Sequence, residues 1–195
     1  MARWLDDDPN ACCVPLHCLP AFSPKARYAN PTAQRSEIEG WIASLQRVRR
    51  WLNAAGRSNQ LLLCVGDGRG DTEALGKLDV PQVVWCVRTR KGSRWCDLPT
   101  DAATGRGRPR VYSDRVWTPQ ERWRERTKWQ QVALMVRGRV LHLSVQVLGA
   151  CRRLRWGKRV FFVILVRGHS KRTKQSKSRA PMAFWVHAVR DGKGG

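Results

Sequence analysis

Leu61-Leu62-Leu63-Cys64-Val65-Gly66-Asp67-Gly68 decides the fold. An unbroken apolar run stops at a Gly-Asp-Gly turn, the pattern of a buried strand that ends sharply. Such a strand places Asp67 at its carboxyl end. Upstream, Ile38, Trp41, Ile42, Leu45, Val48, Trp51 and Leu52 recur at steps of three and four, which is one face of an amphipathic helix. Ser36 and Glu39 supply a capping box for it, Arg47, Arg49 and Arg50 suit its negative end, and Gly56 is placed to cap it. Downstream, the stretch from Asp71 to Leu78 predicts a short helix with Asp71 or Thr72 near its cap, and Val83 to Val87 a second buried strand. Helix, strand, helix, strand is the order of a parallel α/β unit. Ligands and reactive groups in such sheets gather at the carboxyl ends of the strands, which singles out Asp67. As a residue type, an Asp between glycines is equally at home as a plain turn residue.

Farther out the character of the chain changes. Gly105-Arg106-Gly107-Arg108-Pro109-Arg110 fits no regular element and predicts a basic loop. Residues 131–136, 140–148, 160–166 and 182–189 are β-rich runs that predict an antiparallel sheet. A polar basic stretch at 169–179 separates the last two as a hairpin tip. The chain therefore divides into an irregular lead-in, 1–31, with five prolines; an α/β region, 32–100; and a basic β-rich region, 101–195.

Charge narrows the partner. Lys and Arg number 37 against 15 Asp and Glu, a net charge of +22, and 27 of the basic side chains fall in residues 88–195 with only six acidic ones. A polyanion is the expected partner, and nucleic acid is the default. The phosphate contacts are assigned to Arg106, Arg108 and Arg110 in the first basic stretch and to Lys171, Arg172, Lys174, Lys177 and Arg179 in the second. Such contacts position a protein on nucleic acid without reading sequence. The longest apolar run is too short to span a bilayer, and Met1 to Asp8 lacks the apolar core of a secretory signal, so no membrane is expected and the protein is placed in the cytoplasm, nucleoid-associated.

Other candidates carry less. Seven cysteines read as reduced thiols, Cys64 and Cys86 among them as small buried hydrophobes, and Cys12, Cys13, His17 and Cys18 lack a second pair to close a zinc site. Asp6, Asp7 and Asp8 are adjacent and do not converge on one ion. His142, His169 and His187 have no nucleophile at a recognisable spacing. The turn at 66–71 lacks the Lys-Ser/Thr end of a P-loop. The ten tryptophans sit mostly at core-like spacings and are expected to pack rather than stack on bases.

Taken in order, Ala33-Gln34-Arg35-Ser36-Glu37-Ile38-Glu39, Leu62 to Gly68, Gly105 to Tyr112, Val163 to Gly168 and Ala183 to Val189 resemble the DDE transposases of bacterial insertion sequences over roughly residues 34–191. The resemblance implies a partial RNase H-like core followed by a β-rich antiparallel insertion. In that family three carboxylates hold two Mg²⁺ ions roughly 3.5–4 Å apart for in-line attack on a phosphodiester. Asp67 matches the second of the three and is the implied catalytic and metal-binding residue. Nothing in residues 1–31 resembles the strand that bears the first, and residues 191–195 do not continue into the helix that bears the final Glu. The expectation is a truncated transposase that retains binding to the ends of an insertion element but does not cut alone. Uncovered apolar faces should favour self-association. The alternative is a non-catalytic binder of RNA or single-stranded DNA.

Overall fold

The computed structural model describes residues 24–29, 36–99, 110–125, 129–136, 138–168 and 181–187. After a short helix α1 (Pro24–Ala29) comes the amphipathic helix α2 (Glu37–Ala54). Its N-terminus carries the expected capping box: the Glu39 amide donates to Ser36 Oγ at 3.2 Å and the Ser36 amide to Glu39 Oε2 at 2.5 Å. At the other end Arg49 is buried, and its guanidinium donates to Asn53 Oδ1, the Gln60 carbonyl and the Arg57 carbonyl, tying the helix to the connection that follows. Gly56 follows the C-cap, Ala55, at φ +72°, a backbone conformation that glycine adopts without steric cost.

Strand β1 (Leu62–Gly66) leads through a single 3₁₀ turn at Gly68–Gly70 to α3 (Glu73–Lys77), capped by Thr72, and on to β2 (Val83–Thr89). β1 and β2 pair in parallel, as the order of elements requires. Then follow β3 (Trp95–Asp97), β4 (Val116–Trp117), α4 (Pro119–Arg122), β5 (Gln130–Val136), β6 (Arg139–Arg153), β7 (Phe161–Gly168) and β8 (Met182–His187). The strands form one eight-stranded sheet in the order β1-β2-β8-β7-β6-β3-β4, with β5 on β6 as well. All pairings but β1 with β2 are antiparallel. The α/β part and the β-rich part thus share one mixed sheet, joined where β2 lies against β8.

The core lies on one face of that sheet. Val83, Trp85, Val87, Phe161, Val163, Leu165, Ala183 and Trp185 point into it, and α2 and α3 close it with Leu45, Trp41 and Leu75. Eight of the ten tryptophans belong to this cluster or pack against it, in keeping with their spacing. Trp95, Trp156, Phe161 and Trp185 meet edge-on at centroid distances of 5.5–6.4 Å, the arrangement that ring quadrupoles favour. Gly76 lets α3 press onto Trp156, because any Cβ there would overlap the indole ring.

β1 departs from the expectation of a strand buried on both faces. Leu63 and Val65 are 61% and 72% exposed, because among the described residues nothing covers the second face of the sheet. The described cysteines Cys64, Cys86, Cys96 and Cys151 are free thiols. Burial pushes Cys64 up to about 11 and Cys151 up to about 12, so both stay protonated. Among the described residues no helix is long and apolar enough to cross a membrane.

Candidate functional site

The parallel pairing of β1 with β2 brings two carboxyl ends together. At the first, Asp67 caps the 3₁₀ turn: its backbone is extended (φ −80°, ψ −173°) and its Oδ1 accepts the Arg69 amide at 2.9 Å. Gly70 is held so close to Trp41 that a Cβ would stand 2.8 Å from the ring, which fixes the turn against α2. Asp67 is exposed on the outer side of this turn. At the second end, the alternation of β2 leaves Val87 and Thr89 buried and turns Arg88 outward, with Arg90 and Lys91 following it into solvent.

Between these ends lies a groove of about 490 Å³. Asp67, Arg69, Arg88, Arg90 and Lys91 line it, together with Trp123 and the start of β8 at Pro181 to Ala183. Arg69 also reaches Glu37 Oε2 at 3.1 Å, through a partly exposed ion pair. Four cations and one carboxylate thus line the same cleft. Pro181, the first described residue after the basic stretch at 169–179, forms part of the wall. A second groove, of about 540 Å³, lies at the opposite end of the sheet beside Lys77, Lys158 and Arg159. There Arg159 already donates to the Leu78 carbonyl and to Asp79 Oδ1, a task within the fold.

Asp71, four residues after Asp67, has a different role. Its side chain is 1% exposed. Oδ2 accepts from Thr89 Oγ1 at 2.9 Å and, at 3.3–3.5 Å, from the Arg90 amide, Ser93 Oγ and Arg153 Nη2; Oδ1 accepts from Trp185 Nε1 at 3.1 Å. Arg153 itself lies over both Trp95 and Trp156, 4.9 and 5.0 Å from their centroids. Burial pushes its guanidinium down from the usual value, and the Asp71 charge opposes that. Asp71 thus ties β2, β6 and β8 together beneath the groove, its carboxylate engaged by five donors.

A divalent ion needs several hard oxygen donors. Among the described residues no group of three His, Cys, Asp or Glu is placed to hold a metal, and the other charged side chains that line the groove are cations. The described residues do not fit the two-metal centre that the resemblance implies.

Of the basic side chains singled out in the sequence, Arg110 is exposed, pairs with Asp114 at 3.0 Å and is not among the groove-lining residues. Arg106, Arg108, Lys171, Arg172, Lys174, Lys177 and Arg179 lie outside the described residues. Sequence reasoning passed over Arg88, Arg90 and Lys91. The signal was present, since a basic run directly after a strand parallel to β1 must arrive beside Asp67. No protein-family model, curated protein or solved structure matches the chain.

Proposed function

We propose that this chain binds nucleic acid, DNA in the first place, by gripping phosphates in the groove at the carboxyl ends of β1 and β2. The observation that carries this reading is the set Arg69, Arg88, Arg90 and Lys91 converging on one cleft of a chain with net charge +22. Arginine forks and an ammonium group suit phosphate oxygens. The order α2-β1-α3-β2 with its parallel pair supports relation to an RNase H-like core, and with it a transposase-like chain that recognises the ends of an insertion element. Strand cleavage is not part of the proposed activity. In-line attack with two Mg²⁺ ions requires carboxylates on both, and the groove offers Asp67.

Trp123 beside these cations favours a second reading, binding of RNA or single strands with an aromatic wall next to the backbone. Fluorescence anisotropy with duplex DNA, single-stranded DNA and RNA of equal length separates the two by rank of affinity. For the cleft itself, the Arg88→Ala/Arg90→Ala/Lys91→Ala variant is expected to lower affinity. It should also flatten the dependence of log K on log salt by about 0.7–0.9 for each phosphate that the variant no longer neutralises. Binding that is unchanged between 50 and 200 mM salt, or that the triple variant keeps in full, would overturn the proposal. Incubation of labelled ends with Mg²⁺ or Mn²⁺ is expected to leave them uncut, and cleavage that disappears in Asp67→Ala would restore the catalytic assignment.

A further inference from the structure

Strand alternation sends one set of side chains into the core and the other to the opposite face. Register aligns Val65, Cys86, Val186 and Phe162 in one row across β1, β2, β8 and β7. A neighbouring row runs from Val147 on β6 through β7 and β8 to Arg88 on β2. Apart from Arg88, at the rim beside the groove, these rows are apolar. Val65, Val147 and Phe162 are 72%, 57% and 36% exposed, and none of the residues named in the two rows belongs to the core cluster. Among the described residues, α2 and α3 both lie on the other side of the sheet.

The size of this face matters. With β5 beside β6 the face spans six strands, which at a spacing of about 4.8 Å, each presenting about five residues at ~3.3 Å, project an area on the order of 500 Å². A monomer rarely leaves an apolar patch larger than a few hundred Å² open to water. Two such faces in contact remove on the order of 1,000 Å² in projection, and more once side-chain relief is counted. That approaches the ~1,200 Å² at which specific, stable interfaces begin.

We propose that this face is the interface of a homodimer in which two copies stack sheet on sheet. Twisted sheets of equal hand pack face to face at about −30° and about 10 Å apart, and a twofold axis places each apolar row against its own counterpart. A nearly uncharged face offers a partner of different chemistry nothing to select, whereas a second copy brings the same shape and the same twist. Arg88 stays at the rim, so the two basic grooves remain open at the ends of the sandwich.

Sedimentation velocity on the full, nuclease-treated chain in 0.5 M salt, from 1 to 100 µM, tests this without nucleic acid bridging the copies. The wild-type chain is expected to sediment at twice the chain mass, and Val65→Lys/Val147→Lys at the chain mass with an unchanged far-ultraviolet circular dichroism spectrum. Both positions are more than half exposed in the single chain, so lysine there costs the fold little. If the paired variant loses its spectrum, the two single variants are read separately, and each is expected to weaken the dimer at least tenfold. A wild-type monomer throughout the range, open-ended association beyond a dimer, or a dimer that folded lysine variants keep would each overturn the proposal.

Discussion

Asp67 sits among cations, and the sign of its effect is informative. A carboxylate in a phosphate-binding cleft repels the ligand it faces. Asp67→Asn keeps the cap, because asparagine serves as well as aspartate at that position, and removes the charge. Affinity for a DNA duplex is therefore expected to rise a few-fold in the absence of divalent ions, measured by anisotropy at 100 mM salt. A fall that appears only with Mg²⁺ would instead make Asp67 a metal ligand. His187 gives a second test. It is buried on β8, where Nδ1 accepts the Trp85 amide at 3.2 Å, and burial, with the Arg159 charge adding to it, pushes it down to about 4. The unfolded chain takes up this proton near 6.5 and the folded chain does not until about 4. The His187 contribution is thus full above pH 6.5 and is lost as pH falls toward 4, by up to about 1.4 kcal/mol per pH unit. Thermal melts of wild type and His187→Gln between pH 4.5 and 7 should show the wild type losing more Tm on acidification; parallel slopes would sink the assignment.

Between elements, the tightest fit is α3 against Trp156. Gly76→Ala forces a methyl group into the indole ring and is expected to cost about 1–3 kcal/mol in urea unfolding. Gly92→Ala, where nothing lies within 4 Å, should be nearly neutral. The elements themselves are legible in the sequence where their signal is local. α2 announces itself by apolar period and capping box, and the strands by their apolar runs and the turns between them. Burial is less legible: Leu61 to Val65 reads as covered on both faces, yet period two cannot tell whether a second layer exists, and here Leu63 and Val65 meet water. The order of elements makes the parallel pairing of β1 with β2 legible, but not the pairing of β2 with β8. Cys86 meets Val186 across a separation of 100 residues, and nothing near either residue encodes that choice.

At the scale of the molecule, the site is assembled by long-range contacts, which explains why only half of it can be read from the sequence. Asp67 follows from its own neighbours. Asp71 reads as a helix cap, since its partners stand 18 to 114 residues away along the chain. That separation also governs kinetics. Closing loops of this length is entropically slow, and an interaction that needs β2, β6 and β8 all in place is expected to form after the main barrier is crossed. Asp71→Asn is accordingly expected to accelerate unfolding at least tenfold while leaving the refolding rate within a factor of two, as stopped-flow chevrons would read. A slowed refolding limb would place Asp71 in the nucleus. For a chain emerging from the ribosome, Asp67 and its basic neighbours are made well before Trp185 and have no fixed floor beneath them until it has emerged. The groove therefore gains its shape only once β8 has been made, and a nascent chain shorter than this holds the charges without the cleft.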